Sequence, residues 1–291
     1  MEGILPVGEI RMAGEMVSRP RTGKYWAMII VLLLVAGALG YLYYTKAAPA
    51  AQESVVARIE RTGKLVVATE AAFPPFEVVN VSTNEIEGFD VDIAREVAGC
   101  LGVQLEMRNM AFASIFTSVE QGTVDLGISA ITITAERDER VDFSNPYFFS
   151  NLTILTLQSS PIADPADLQG VAISLQEGTT SDFWVADVLM AAPPGGLGVT
   201  PSDVQKTQSF TDAVQLTLNG DVDATIIDQP AAEAFVQADP SLKIAYVIVT
   251  NEAFGIAIPP GEGVLQGAVN TCLRMLRLSG RYDAIVTDWF G

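Results

Sequence analysis

The chain has 291 residues, a formal net charge of −18 and an apolar content of 49%, which suit a folded protein with a sizeable buried core. The excess of acidic residues is located after residue 50. Such an acidic surface repels nucleic acid and anionic lipid, which argues against a nucleic-acid role. The absence of histidine removes His-based catalytic triads and the commonest metal ligand. We therefore expect neither a metal site nor a cofactor.

Two cysteines, Cys100 and Cys272, are too few for a zinc cage or a disulfide framework. Both fall in apolar patterns of helical spacing, which favours buried free thiols. A disulfide between them requires the two helices to touch, and that alternative stays open at the level of the sequence.

An apolar run follows the polar beginning of the chain. Trp26 to Tyr44 has no ionisable group except tyrosine, and as a helix it nearly matches a bilayer core of about 30 Å. Basic residues before the run outnumber those after it, which predicts a cytoplasmic N-terminus. We interpret residues 1–24 as cytoplasmic, 25–45 as a retained transmembrane signal anchor and 46–53 as a linker. The alternative is a cleaved signal peptide with a site at Ala48-Pro49-Ala50.

Beyond the linker, apolar strands alternate with amphipathic helices, a pattern typical of parallel sheets in α/β lobes. We expect lobe 1 at residues 54–149 and 253–291, and lobe 2 at residues 150–252. The predicted strands are Leu65–Thr69, Val103–Arg108, Val124–Ile128, Val171–Ser174, Val204–Thr207 and Ala224–Ile227. The predicted helices include Phe89–Leu101, Ala113–Gln121, Thr211–Leu218, Gly263–Leu278 and Arg281–Trp289.

Two extended crossings should join these lobes and form a hinge. The stretch Tyr147 to Leu157 is rich in aromatic and β-branched residues, as expected of a strand that enters lobe 2. Two further strands, Lys243–Thr250 and Ala253–Ile258, should return the chain to lobe 1.

The segment LGISAITITAERDERVDFSNPY, from Leu126 to Tyr147, places hydroxyl groups at a strand-to-helix turn. Thr134 is typical of a helix cap, with Arg137 in the first turn that follows. Hydroxyls, free amides and one guanidinium group would together receive a carboxylate. The alternative is that Arg137 lies on a solvated face with Glu136 and Asp138.

This segment and several others in the same order resemble the extracytoplasmic solute-binding proteins of the polar amino-acid class, family 3, which are the receptors of ABC importers. The other segments are VVATEAAFPPFE from Val66, GFDVDIAREV from Gly88, DLQGVAISLQEGTT from Asp167, GDVDATIIDQP from Gly220, FGIAIPPG from Phe254 and the terminal DWFG. The resemblance implies a type II periplasmic-binding-protein fold, with an amino acid bound between two lobes. It also implies a monomeric, non-enzymatic receptor that meets the permease subunits of an importer.

The resemblance assigns two groups of residues to the backbone of the ligand. The α-carboxylate group should meet Arg137, the Thr132 backbone and the amide of Thr179 or Thr180. The α-ammonium group should meet Asp228, the Thr132 hydroxyl and the Ala130 carbonyl. Asp228 ends an apolar strand, so the alternative is that its side chain only caps the following helix. Gly178 should allow close backbone approach, while Thr179 and Thr180 cap the next helix.

By the same resemblance, the ligand side chain should meet Glu70, Phe73 and Phe112, although both phenylalanines have the alternative of being core residues. Nothing near Glu70 in the sequence pairs with it. Relatives often carry glycine or serine where this chain has Ala130, and lysine or leucine where it has Gln176, so specificity depends on these two positions.

An acid between aromatic rings favours a planar cation. We therefore expect arginine first, then lysine or ornithine, then glutamine, with acidic and aliphatic amino acids excluded. Glutamine remains an alternative because Gln176 could serve an amide. A second alternative is a same-fold periplasmic dehydratase of prephenate or arogenate. The expected location is the cell membrane, with one span and an extracytoplasmic binding domain.

Overall fold

The structure is a computed structural model that describes residues 23–47 and 53–291. The chain forms two compact units, Met1–Gln52 and Glu53–Gly291. In the first unit, helix α1 spans Gly23–Ala47, and its described side chains are exposed. Across the described ranges, no helix meets the length and apolar character required to cross a membrane. Most of the predicted cytoplasmic segment 1–24 and of the predicted linker 46–53 lies outside the described residues.

The second unit alternates strands and helices, as the sequence predicts. Its strands are β1 (Lys64–Thr69), β2 (Ala72–Phe73), β3 (Glu77–Val79), β4 (Ile86–Glu87), β5 (Gln104–Asn109), β6 (Leu126–Gly127), β7 (Asp142–Phe143), β8 (Phe148–Leu157), β9 (Ala172–Gln176), β10 (Asp203–Thr207), β11 (Ala224–Asp228), β12 (Leu242–Phe254) and β13 (Ala257–Ile258). Its helices are α2 (Val55–Thr62), α3 (Phe89–Leu101), α4 (Phe112–Glu120), α5 (Ala135–Asp138), α6 (Thr180–Trp184), α7 (Phe210–Asn219), α8 (Gln229–Ala238), α9 (Gly263–Leu278) and α10 (Arg281–Phe290).

Two five-stranded sheets organise this unit, one in each lobe. The first has the order β5-β1-β6-β13-β7, with β1 parallel to both of its neighbours. The second has the order β10-β9-β11-β8-β12, with β9 parallel to both of its neighbours and β8 antiparallel to β11 and β12. A small antiparallel sheet, β2-β3-β4, joins β1 to α3. The two-lobe α/β architecture is therefore as predicted.

Central strands are apolar because both of their faces are covered. Every residue of β11 is buried, and the strand is apolar except for Thr225 and the terminal Asp228. Helix α3 has acids in its first turn and ends at Gly102 in a left-handed conformation, so its dipole and its cap both favour the observed ends. Gly88 precedes it with φ +145°, and a Cβ there would lie 2.0 Å from the Phe76 carbonyl oxygen. Only glycine therefore allows this close approach.

An aromatic cluster anchors the two crossing strands to the first lobe. Phe76 contacts Phe89, Phe148, Phe254 and Phe290, with ring centroids 5.2–5.9 Å apart. Phe148 begins β8 and Phe254 ends β12, so both crossings start from one packed apolar centre. Such mixed edge and offset contacts are favourable for aromatic rings.

The return crossing differs from the prediction. One strand, β12, runs without interruption from Leu242 to Phe254, and only then does β13 begin. Its pairing with β8 shifts register between Ile248 and Glu252, and Asn251 takes φ +51°. Asparagine tolerates this conformation, so the strand bends through a bulge instead of ending where the sequence indicates a break.

The interpretation of the cysteines as buried free thiols is wrong. Cys100 and Cys272 form a disulfide between α3 and α9, with their Cα atoms 5.8 Å apart. Cys272 is buried, but Cys100 is exposed. Helical spacing gave the right secondary structure for both residues, and contact between the two helices determines the bond.

Candidate functional site

A cavity lies where strands of both five-stranded sheets end. Glu70 follows β1, Thr132 follows β6, Gln176 ends β9 and Asp228 ends β11. Open α/β sheets bind ligands at this edge. The cavity has a volume of about 20 Å³, so the side chains fit closely around it. Its lining comprises Glu70, Phe73, Glu77, Phe112, Ser129, Ala130, Thr132, Arg137, Gln176, Thr179, Thr180, Phe210 and Asp228.

All the predicted ligand-binding residues except Gly178 line this cavity. Gly178 borders an adjoining cavity, and its carbonyl oxygen accepts a hydrogen bond of 3.2 Å from Arg137 Nη2. A Cβ at this position would meet no protein atom within 4 Å, so close approach of a ligand to Gly178 stays a prediction. Its φ of +73° is what favours glycine here.

Arg137 is a buried cation held by local structure. The Thr134 side chain caps α5 by accepting from the Arg137 amide, as predicted. The side chain of Arg137 is 7% exposed, donates 2.8 Å to the Thr132 carbonyl, and lies 5.2 Å from the centre of the Phe112 ring. Burial lowers the pKa of Arg137 to about 10, which leaves it charged at neutral pH.

Within the described ranges, Arg137 forms no ion pair with an acid. The predicted alternative, a solvated charge run, is wrong for this residue because its guanidinium group points into the protein. A buried cation without a partner carries a desolvation cost, which an anion in the cavity would offset.

Asp228 occupies the cap position of α8, but its side chain makes no capping hydrogen bond. Its Oδ1 atom is buried and has no hydrogen-bond partner among the described residues. Burial, and next the negative charge of Glu252, raise the pKa of Asp228 well above its ordinary value. The capping alternative is therefore wrong, and the free oxygen is suited to a cationic group.

Glu252 is a residue that the sequence motifs do not single out. It lies on β12 just after the bulge at Asn251, is 8% exposed, and accepts hydrogen bonds of 2.7 Å from the hydroxyls of Thr132 and Thr180. Thr132 belongs to the first lobe and Thr180 to the second. No local pattern places Glu252 here, because its position depends on how β12 turns between the sheets.

The end of the cavity around Glu70 combines this acid with an amide side chain and two phenylalanine rings. Gln176 Nε2 donates 2.6 Å to Glu70 Oε2, a contact between lobes. Burial raises the pKa of Glu70, while hydrogen bonds from Gln176 and from the Phe112 amide act in the opposite direction. Phe210, which the sequence motifs did not single out, faces Phe73 with ring centroids 5.0 Å apart. It begins α7, directly after the capping residue of that helix.

Thr179 and Thr180 both line the cavity, yet neither hydroxyl caps α6 as expected. Thr179 stands at the cap position, but its hydroxyl donates 2.8 Å to the Gln176 carbonyl. The Thr180 hydroxyl donates to Glu252. Their backbone amides lie at the start of the helix, where amides lack intrahelical partners and are available to an anion.

Two buried acids lie at the base of the cavity: Glu77 lines it, and Asp90 does not. Glu77 Oε1 accepts from the Ser129 hydroxyl at 2.8 Å, and Asp90 Oδ2 accepts from the Ala130 amide at 2.7 Å and from the Tyr147 hydroxyl at 2.8 Å. The remaining oxygens, Glu77 Oε2 and Asp90 Oδ1, have no hydrogen-bond partner among the described residues. The charge of Asp90 raises the pKa of Glu77, and neighbouring carboxyl groups avoid carrying two charges by keeping a proton.

Glu77 and Asp90 keep their protons to higher pH than free carboxyl groups do. Burial raises the pKa of Asp90 to about 7, although hydrogen bonds from Ala130 and Tyr147 act to lower it. Burial and the charge of Asp90 raise the pKa of Glu77 well above its ordinary value. Through its hydrogen bond to the amide, Asp90 also holds Ala130 at φ +45°, a conformation that alanine rarely adopts.

Comparisons with known proteins identify the family. Residues 65–291 match the family described as bacterial extracellular solute-binding proteins, family 3, and the chain belongs to it. A probable histidine-binding protein of Neisseria gonorrhoeae is 28% identical over 92% of this chain and 96% of the relative. A mutant of the arginine-binding protein ArgBP of T. maritima is 35% identical, with a TM-score of 0.73 over 81% of this chain and 99% of that one.

A third similar structure is an ancestral arginine-binding protein bound to glutamine, at 35% identity and a TM-score of 0.72, over 79% of this chain and 98% of that one. Other relatives are named as glutamine-binding and L-cystine-binding proteins. A further structural neighbour is an ancestral amino-acid-binding protein described as a precursor of cyclohexadienyl dehydratase. The family of amino-acid-binding ABC receptors is therefore as predicted, while its members differ in ligand.

Proposed function

We propose that this chain is an extracytoplasmic receptor that binds a basic amino acid, arginine first, between its lobes and delivers it to an ABC importer. The main support for this function is the arrangement of charges in the cavity. A buried cation, Arg137, and a buried acid with a free oxygen, Asp228, line the same cavity, and another acid, Glu70, lines it as well. This set of charges complements an amino acid with a cationic side chain.

The backbone of the ligand is placed by the two opposite charges. Its α-carboxylate group accepts from Arg137 and from the first amides of α6. Its α-ammonium group donates to Asp228 Oδ1, to the Thr132 hydroxyl and to the Ala130 carbonyl. Support comes from the burial of both groups: among the described residues, Arg137 has no ion-pair partner and Asp228 Oδ1 has no hydrogen-bond partner, and a ligand would offset the desolvation cost of each.

The side chain of the ligand then lies against Phe73 and Phe112 and reaches Glu70, all three of which line the cavity. A guanidinium group stacks on aromatic faces for about 0.5–2 kcal/mol and pairs with a carboxylate. Glutamate is repelled by Glu70, and leucine leaves that acid desolvated without a partner. Glutamine is the alternative ligand, because Gln176 and Glu70 can both bond an amide.

Closure of the lobes is part of the proposed function. Hydrogen bonds among the described residues already join the lobes: Arg137 to the Gly178 carbonyl, the Thr132 hydroxyl to Glu252, Gln176 to Glu70, and the Thr211 hydroxyl to the Ala72 carbonyl at 2.6 Å. We place the lobes at residues 54–149 with 253–291 and at 150–252. A ligand that contacts both lobes stabilises the closed form alone.

The membrane tether is likewise proposed from the sequence. The uninterrupted apolar run Trp26 to Tyr44 and the basic residues before it favour a retained anchor with residues 1–24 in the cytoplasm, and a monomer that meets permease subunits at the outer surface. Resistance of the full-length protein to extraction by alkaline carbonate supports the anchor. A mature protein that begins at Ala51 refutes it.

A dehydratase is the second candidate, favoured by the likeness to the dehydratase precursor and by the proton that Glu77 can hold at the cavity wall. Release of phenylalanine from arogenate by the purified protein would establish it. Against it, an acid at the far end of the cavity suits a cation better than an aromatic ring.

Calorimetric titration of the purified chain tests the proposed ligand directly. Arginine should bind most tightly, followed by lysine and then glutamine, with no measurable binding of glutamate or leucine. Tight binding of glutamate or leucine refutes the assignment.

A further inference from the structure

Glu252 touches hydroxyl groups of both lobes at once. Its Oε2 atom accepts from Thr132 Oγ1 and from Thr180 Oγ1, each at 2.7 Å. Both threonines line the cavity, whereas Glu252 lies behind them on β12. Besides the effect of its charge on Asp228 and Arg137, Glu252 can act on a bound ligand through these two hydroxyl groups.

A threonine hydroxyl has a single proton and two lone pairs. When that proton is donated to Glu252, only lone pairs remain to face the cavity. Thr132 and Thr180 therefore present acceptors there, as does the free Oδ1 of Asp228. Arg137, which lines the same cavity, can only donate.

We propose that Glu252 is a positioning residue for ligand orientation: by accepting both hydroxyl protons, it fixes Thr132 and Thr180 as acceptors and reserves that part of the cavity for the α-ammonium group. This inference, which rests on the proposed function, adds a source of selectivity that no ligand-contacting residue supplies. With Glu252 absent, each hydroxyl can rotate and donate to a carboxylate or to water. The cavity would then distinguish the two ends of an amino acid less well.

The experiment compares arginine with two analogues on the full-length protein by calorimetry. Desamino-arginine lacks the α-ammonium group, and agmatine lacks the α-carboxylate group. The affinity ratio of arginine to each analogue measures how much the cavity gains from the missing group. The variants are Glu252→Ala, which removes the acceptor, and Glu252→Gln, which keeps an acceptor oxygen without the charge. Glu233→Ala, an exposed acid of α8, is the matched control.

Glu252→Ala should lower the ratio of arginine to desamino-arginine by about ten-fold or more, the effect of roughly one charge-assisted hydrogen bond. The ratio of arginine to agmatine should stay within about three-fold, since it reports on Arg137. Glu252→Gln should restore the first ratio to within about three-fold of the wild type, and Glu233→Ala should change neither.

If Glu252→Ala lowers both affinity ratios equally, Glu252 only joins the lobes. If it lowers neither ratio, Glu252 does not orient the hydroxyls. Each of these results overturns the inference. Failure of Glu252→Gln to restore selectivity also overturns it, because charge alone would then act. If the wild type binds glutamine instead of arginine, the corresponding desamino and decarboxylated analogues of glutamine replace the pair. A wild type that binds no amino acid refutes the proposed function and this inference together.

Discussion

Substitution of Arg137 by alanine gives the sharpest energetic prediction for the site. The guanidinium group is 7% exposed and has no acidic partner in an ion pair among the described residues. Removing it leaves the α-carboxylate group of the ligand desolvated and unpaired in the closed cavity. Breaking a buried charge pair in this way costs about 3–5 kcal/mol. Affinity for arginine should therefore fall by roughly two to four decades.

The assay is calorimetry on the wild type and on matched variants of the full-length protein. Arg137→Lys keeps the charge but cannot donate two parallel hydrogen bonds to a carboxylate, so affinity for arginine should fall by about one to two decades. Arg140→Ala is the control, because this arginine is exposed and pairs with Glu120 at 2.9 Å outside the main cavity. Its affinity should stay within about three-fold of wild type.

Thermal unfolding without ligand separates binding from folding. Arg137 carries a desolvation cost in the free protein, so Arg137→Ala should unfold at a temperature no lower than Arg140→Ala. An Arg137→Ala variant that unfolds normally and binds arginine within a few-fold of wild type would show that the carboxylate lies elsewhere.

Three further predictions follow from the same structure. Glu70→Gln should lower arginine affinity by about one to two decades and leave glutamine affinity within about three-fold. Glu106→Gln, a half-buried control outside the cavity, should change neither by calorimetry. Because the pKa of Asp90 is raised to about 7 from 3.8, the folded protein keeps a proton that the unfolded chain releases, so this group's stabilising contribution is present below pH about 4 and is lost as the pH rises through about 7. Asp90→Asn, whose amide can donate to Glu77, should lack that decline in chemical denaturation, and an unchanged pH profile would exclude the retained proton. Saturating ligand should slow hydrogen exchange at Ile131–Arg137 and at Gln176–Ser181 together, and protection of one segment alone would contradict closure.

Part of the site could be predicted from the sequence, because it depends on interactions between residues that are close in the chain. The bounds of α3 and α9 follow from apolar spacing, and the turn that places Arg137 follows from the hydroxyl cap of Thr134. Asp228 is found because it ends a wholly buried strand. In each of these cases, the deciding interaction lies within a few residues of the chain.

The remaining features depend on contacts between distant segments. Glu252 reaches the cavity because β12 bends at Asn251, and Phe210 does so because α7 packs beside β2. Neither position has a local pattern that distinguishes it from an exposed acid or a core aromatic residue. The disulfide also depends on the packing of two helices whose cysteines lie 172 residues apart in the chain.

The most direct test of the central claim is mass spectrometry of the small molecule that leaves the purified protein when it is denatured. The full-length chain is isolated under native conditions, washed without amino acids, denatured, and the released fraction is compared with that from Arg137→Ala. The account predicts arginine, or failing that lysine, in near-equal molar amount to the wild type, and almost none from the variant. Release of glutamate or leucine from the wild type, or equal release of arginine from both proteins, would contradict it.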